Sequence, residues 1–236
     1  YIDIKFEDKK KLDFLSKISS EGDGNISEQS KLYVPAKITH NKNKYKAEIR
    51  LKGDWGDHTL REKKRSYRVK LKNQKTLFGM RKFSLQHPDV RGYLYEWFCH
   101  KIFKQEEIIG LRYDFIKVYL NGDDYGIFAI EEHFDKRLVE NNKRKESPII
   151  RFDENNFFRE FREFYNHNDS RIGYNNPSGY GSFNRSPIRS FKSFINSEDS
   201  LLTQNLKVGH SLLESFREKK IKPSDAFNVE KLASYL

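Results

Sequence analysis

The sequence predicts an α+β protein, a mostly antiparallel sheet with one packed helix followed by a mainly helical portion. Three observations carry this. Short β-branched and aromatic runs alternate between polar turns over residues 31–86, an Asn-Gly turn joins two longer runs at 113–132, and helical spacing of apolar residues marks 91–106 and 198–219.

In chain order, KLYVPAKIT (31–39), KYKAEIRLK (44–52), RSYRVKL (65–71) and RKFSLQ (81–86) read as strands. Arg91 to Glu106 sets Leu94, Phe98 and Ile102, with Trp97 and Lys101, at helical spacing, which predicts an amphipathic helix leading into a hairpin. In that hairpin Phe115, Lys117 and Tyr119 alternate with Ile116, Val118 and Leu120, Asn121-Gly122 tolerates positive φ, and Ile127 to Ile130 returns. The order is therefore four strands, a helix and two strands. From His167 to Pro187 the chain is rich in Asn, Ser, Gly and Tyr without apolar periodicity and reads as a surface loop, a disordered insert being the alternative. Ser186-Pro187 then resembles a helix start for residues 188–195, Glu198 to Lys219 reads as a helix, and residues 224–236 begin another that stops mid-pattern. The organisation expected is a β-rich lobe over 1–155 and a mostly helical region over 156–236 that continues into a C-terminal part not contained in the chain.

Composition bounds function more loosely. Lys and Arg number 45 against 34 Asp and Glu, a net charge of +11 that favours anionic partners without choosing among nucleotides, acidic proteins, nucleic acid or envelope polymers. Cys99 is the single cysteine, so no intramolecular disulfide forms and the redox compartment stays open. No apolar run approaches the roughly 18 residues of a membrane span. The chain opens on Tyr1 without a signal pattern, which suggests a processed or excised segment of a longer protein. There is no G-x-S-x-G, H-E-x-x-H, Walker-type loop or C-x-x-C.

The pieces RLKGDW (50–55), KKRSYRVKL (63–71), LFGMRKFSLQ (77–86), RGYLYEW (91–97), RYDFIKVYLNGDDYGIFAIEEHF (112–134) and PIIRFDE (148–154) resemble, in order and spacing, the CotH-like (spore-coat protein H) family. The resemblance covers roughly residues 45 to 155. It implies an atypical protein kinase with a distorted kinase-like fold, using ATP and magnesium to phosphorylate Ser or Thr of secreted, coat or envelope proteins. The partners implied are a nucleotide and a protein substrate in an extracytoplasmic or cell-envelope setting, and nucleic acid is not among those expected.

On that resemblance the basic strand contributes phosphate contacts. Alternation puts Arg68 and Lys70 on one face of RSYRVKL, which makes Lys70 the first candidate, Arg68 the second and Lys64, just before the strand, the third. A solvated basic strand face is the ordinary alternative. Glu96, on the helix between this strand and the hairpin, is the candidate to orient the cation as a helix Glu does in protein kinases, or else the polar edge of that helix. Glu132, with Glu131 beside it on the opposite side of the strand, matches the family's Glu at the strand exit where adenine can pair, the alternative being an ion pair with Lys136 or Arg137.

Departures from the family pattern matter as much. The loop after Lys52 carries Asp54 and Asp57 where small hydroxyl residues are expected, which would repel phosphate unless a cation intervenes, and His58 beside them has no metal-ligand spacing. Asp153 gathers oxygen donors with Glu154 and Asn155 but follows the hairpin too closely for the family's catalytic position. The catalytic and metal-binding carboxylates are therefore expected beyond Leu236. A non-catalytic module for a polyanion or glycan, using 19 Phe, 13 Tyr and 2 Trp with basic faces, and a pseudokinase scaffold are the competing functional classes.

Overall fold

The structure, a computed structural model, describes residues 1–21, 32–53, 58, 63–153, 186–191 and 200–235. The chain divides into two compact units, Tyr1–Gln105 with Ile109–His133, and Glu106–Ile108 with Phe134–Leu236.

The first unit holds β1 (Ile2–Ile4), α1 (Phe6–Glu21), β2 (Val34–His40), β3 (Asn43–Leu51), β4 (Tyr67–Leu71), β5 (Lys82–Gln86), a 3₁₀ turn (Pro88–Arg91), α2 (Tyr95–Gln105), β6 (Tyr113–Leu120) and β7 (Asp123–Glu132). The four predicted strands and the hairpin are present. The predicted sheet, mostly antiparallel, closes into a barrel in the order β1-β2-β3-β4-β5-β7-β6. Closure depends on β1, a strand too short to show alternation. It pairs antiparallel with β2 and meets β6 at Ile2 and Leu120. The Asn121-Gly122 turn, with φ of 51° and 92° as a type I′ turn requires, completes that seam, its Asn121 Oδ1 accepting from the Ile4 amide at 2.7 Å and its amide donating to the Ile2 carbonyl at 2.9 Å.

Every second residue of β3, β4 and β5 faces the lumen: Ala47, Ile49 and Leu51, then Tyr67, Val69 and Leu71, then Phe83 and Leu85. Phe128 and Ile130 of β7 join them, and Leu12 of α1 belongs to the same core. Burial on this scale is the main favourable term holding the barrel. The alternation sends the intervening polar residues to the outer face.

The helix predicted over 91–106 begins four residues later, because Gly92 in the left-handed region (φ 63°) ends the 3₁₀ turn first. No residue of α2 is buried, and Phe98 and Ile102 on its predicted apolar face are exposed.

In the second unit, α3 (Lys136–Asn141) is N-capped by Asp135, whose carboxylate accepts from the Arg137 amide at 2.9 Å. β8 (Ile150–Phe152) pairs with β9 (Ile188–Ser190), and α4 (Ser200–Arg217), α5 (Pro223–Ala226) and α6 (Val229–Tyr235) follow. The helix expected from residue 188 is corrected at its start. Ile188–Ser190 is a strand, since its backbone finds a ladder partner in β8 that local periodicity cannot reveal, while 192–199 lie outside the described residues. The helix expected over 224–236 is two short ones, the second opened by the Asn228 side-chain Oδ1 accepting from the Lys231 amide. Residues 167–185 of the predicted loop lie outside the described residues.

Candidate functional site

Alternation decides which polar residues gather on the outer face of the barrel. Register places Arg50 opposite Arg68, Arg68 opposite Ser84, and Ser84 opposite Glu131, one rung running across β3, β4, β5 and β7. Lys52 continues the outward series Glu48, Arg50 just past β3, held there by its amide, which donates to the Ser66 carbonyl at 2.8 Å. Gln86 ends β5 on the same face.

These residues converge on a buried ring. Lys52 Nζ donates to Glu131 Oε2 at 2.9 Å and to Gln86 Oε1 at 2.8 Å, and Gln86 Nε2 donates to the same Glu131 oxygen at 2.7 Å. The Lys52 and Glu131 side chains are 12% and 13% exposed, and Gln86 is fully buried. Burial brings the Lys52 ammonium down to about 8, with Glu131 opposing and Arg68 and Arg91 adding to the fall. Burial pushes the Glu131 carboxyl up, but Lys52, Arg68 and Arg91 outweigh it and hold the group below its ordinary value, ionised at neutral pH.

One rung away, Arg68 Nη1 lies 2.5 Å from His133 Nδ1. A guanidinium only donates, so Nδ1 accepts and the ring carries its proton on Nε2. Burial, with Arg68, Lys82, Lys52 and Arg50 around it, keeps His133 neutral far below its usual range. Five cations, Arg50, Lys52, Arg68, Lys82 and Arg91, thus act on the neighbourhood of two groups, Glu131 and His133. The Ser84 hydroxyl sits in register between Arg68 and Glu131, fully buried and, among the described residues, without a hydrogen-bond partner.

The residues nominated from sequence fall at different places. Arg68 is in this cluster. Glu96, on α2, pairs with His100 at 3.4 Å, lies below its ordinary value chiefly through that contact, and is within electrostatic range of Arg91 and Glu131. Lys70 shares the outer face of β4 with Arg68 but stands one rung further on, between Glu48 and Lys82. Lys64 lies beside Gly126, five residues back along β7 from Glu131. Glu132 points the other way, into the end of the barrel, where it is 1% exposed and holds Arg112 through Nη2 to Oε1 at 2.5 Å and Nε to Oε2 at 3.1 Å. Arg112 in turn donates to the Phe78 and Gly79 carbonyls at 3.0 and 3.1 Å.

The loop after Lys52 is anchored internally. His58 is buried, its Nδ1 2.7 Å from Ser66 Oγ, and its ring packs where Gly53 (φ 127°) leaves room; Asp54 and Asp57 lie outside the described residues. Asp153, considered as a metal ligand, is buried between Arg151 at 3.3 Å and Arg189 at 3.2 Å. Among the described residues no group of three or more His, Cys, Asp or Glu is placed to hold a metal ion, and no helix is long and apolar enough to cross a membrane.

Lys52, Gln86 and Glu131 were not nominated from sequence, although for Glu131 the signal existed. Phe128 and Ile130 are lumen residues by alternation, which makes Glu132 a lumen residue and turns Glu131 outward. Comparison with curated proteins finds no match. The sequence profile of the family described as CotH kinase protein matches residues 49–202, from within β3 to the start of α4 and so across every strand that builds the ring, and the chain belongs to that family.

Proposed function

We propose that the chain supplies the nucleotide-phosphate site of an ATP-dependent phosphotransferase with a kinase-like architecture. Its Lys52–Glu131 pair takes the part that a strand lysine and a helix glutamate take in protein kinases. The observation that carries this reading is the buried ion pair at 2.9 Å set beside Arg68 and Arg91, with Arg50 and Lys82 around the neighbouring His133. Lys52, Arg68 and Arg91 around one buried carboxylate, with Arg50 and Lys82 beside the neighbouring His133, suit a polyphosphate, and the Ser84 hydroxyl, which has no hydrogen-bond partner among the described residues, is a further donor for an anionic oxygen. When bound, ATP supplies the phosphoryl group, and magnesium would neutralise part of its charge. The described residues present no ligand set for the metal, so no step is assigned through it.

Within this chain, Glu131 holds the Lys52 ammonium in place, and the ammonium offers its remaining N–H to a phosphate oxygen. Arg68, fixed by His133, adds a second cation one rung away. Lys70 and Glu96 flank them on the same side of the barrel and are proposed as secondary contacts. Contacts from Lys64 and Glu132 are proposals that substitution must decide. The family points to Ser or Thr of a coat or envelope protein as acceptor, and the catalytic carboxylates are proposed to come from outside the described residues.

Titration of the full protein with Mg-ATP by calorimetry, beside Lys52→Met and Arg68→Ala, tests the reading. Loss of one charge-assisted contact costs about 1.5–3 kcal/mol, so affinity should fall roughly 10- to 100-fold in each variant. Absence of binding to the unsubstituted protein overturns it. Binding to any polyanion with a steep salt slope and no preference for ATP would favour the binding-module alternative instead.

A further inference from the structure

We propose that Gln86 is a positioning residue that holds the Lys52 ammonium against Glu131 in the geometry that receives phosphate. The inference rests on the nucleotide reading of the same site. It starts from the closed ring: Gln86 Oε1 takes one N–H of Lys52 at 2.8 Å while its Nε2 occupies the Glu131 oxygen that also accepts from Lys52, at 2.7 Å. Without the amide, Lys52 would meet Glu131 through a single contact and could swing about it. Gln86 is fully buried, so water does not take its place.

The residue type matters. An amide accepts and donates at once and never titrates, so it satisfies both members of the ion pair without altering the charge of the site. Its carbonyl stabilises the ammonium form of a lysine that burial otherwise works against. The charged groups acting on Lys52 are Glu131 of β7, Arg68 of β4 and Arg91 from the end of the 3₁₀ turn; His133 just past β7 adjoins them with Arg50 of β3 and Lys82 of β5 around it, and Tyr113 of β6 and Glu96 of α2 lie within range of Glu131. None of the others is hydrogen-bonded to both partners of the pair.

The test is Mg-ATP affinity of the full protein measured from about pH 7 to about pH 10 for the unsubstituted chain, Gln86→Leu and Gln86→Glu, each checked by circular dichroism. Affinity should decline as pH rises past the Lys52 midpoint, about 8 in the unsubstituted protein. Gln86→Leu removes the acceptor and is expected to move that midpoint down and weaken binding roughly tenfold near neutrality. Gln86→Glu keeps the acceptor, adds negative charge and is expected to move the midpoint up. An equal loss of affinity at all pH values, or midpoints unchanged in both variants while the unsubstituted protein binds, overturns the role of Gln86 and leaves the nucleotide reading standing. Should Gln86→Leu fail to fold, an unmoved midpoint in Gln86→Glu is sufficient to overturn it. If the unsubstituted protein does not bind Mg-ATP, the nucleotide reading falls and this inference falls with it.

Discussion

Replacing Arg112 with Met isolates what the inward-facing carboxylate does. Glu132 is 1% exposed and its ionised oxygens are met by the Arg112 guanidinium at 2.5 and 3.1 Å, so Arg112→Met leaves a buried charge facing the barrel end without its counter-ion. Breaking such a pair from one side costs about 3–5 kcal/mol, and because the Arg112 side chain is 27% exposed the lower end, about 3 kcal/mol, is expected. The lost bonds to the Phe78 and Gly79 carbonyls are at the surface and add little. With a urea slope of about 2 kcal/mol/M, the unfolding midpoint should fall by about 1.5 M, read by circular dichroism and tryptophan fluorescence. The double variant Arg112→Met, Glu132→Leu removes both charges and should recover most of that loss, since an apolar pair of similar volume is often as stable as the ion pair. A single-variant loss below about 1 kcal/mol, or a double variant no better than the single, would refute the assignment of Glu132 to holding the barrel end. The double variant also decides a functional question. Mg-ATP affinity retained in it would remove Glu132 from the nucleotide site.

Two further predictions follow from the same geometry. Lys52 has a folded midpoint of about 8 against 10.5 in the unfolded chain, so between those values the unfolded state binds the extra proton and its contribution makes stability rise with pH. The rise is on the order of 3 kcal/mol across the window, it should be absent in Lys52→Met, and stability curves measured from about pH 8 to about pH 10.5 in the two proteins check it. Gly79 has φ 75° and any Cβ there would land on the Arg112 guanidinium, so Gly79→Ala should cost about 1–2 kcal/mol in urea unfolding, and less in an Arg112→Met background.

Much of the barrel was legible because strands such as β4 bury one face only. Alternation in YRVKL separates Tyr67, Val69 and Leu71 from Arg68 and Lys70 without any knowledge of neighbours, and Asn121-Gly122 names its own turn. What stayed hidden is non-local. Ile2-Asp3-Ile4 is too short to show a period, the β5–β7 pairing skips β6, and Ile188–Ser190 becomes a strand only because β8 is there to pair with it. Without β1, the sequence shows a sheet but not its closure.

The site shows the same division at the scale of single residues. Lys52 and Glu131 are 79 residues apart in the chain and become partners only when β3, β4, β5 and β7 pair in their observed register, so no window of sequence contains the ion pair. The choice between Glu131 and Glu132, by contrast, needed no pairing. Two adjacent carboxylates at the end of a strand cannot share a face, and a lumen already marked by Phe128 and Ile130 assigns Glu132 inward, where only a cation such as Arg112 makes its burial tolerable. The outward carboxylate then requires a cation on the outer face, and each strand offers one wherever its polar phase falls: Arg50 and Lys52 from β3 and its end, Arg68 and Lys70 from β4. Register alone selects Lys52. Strand phase therefore bounds the site to a face, and barrel closure reduces that face to one buried pair.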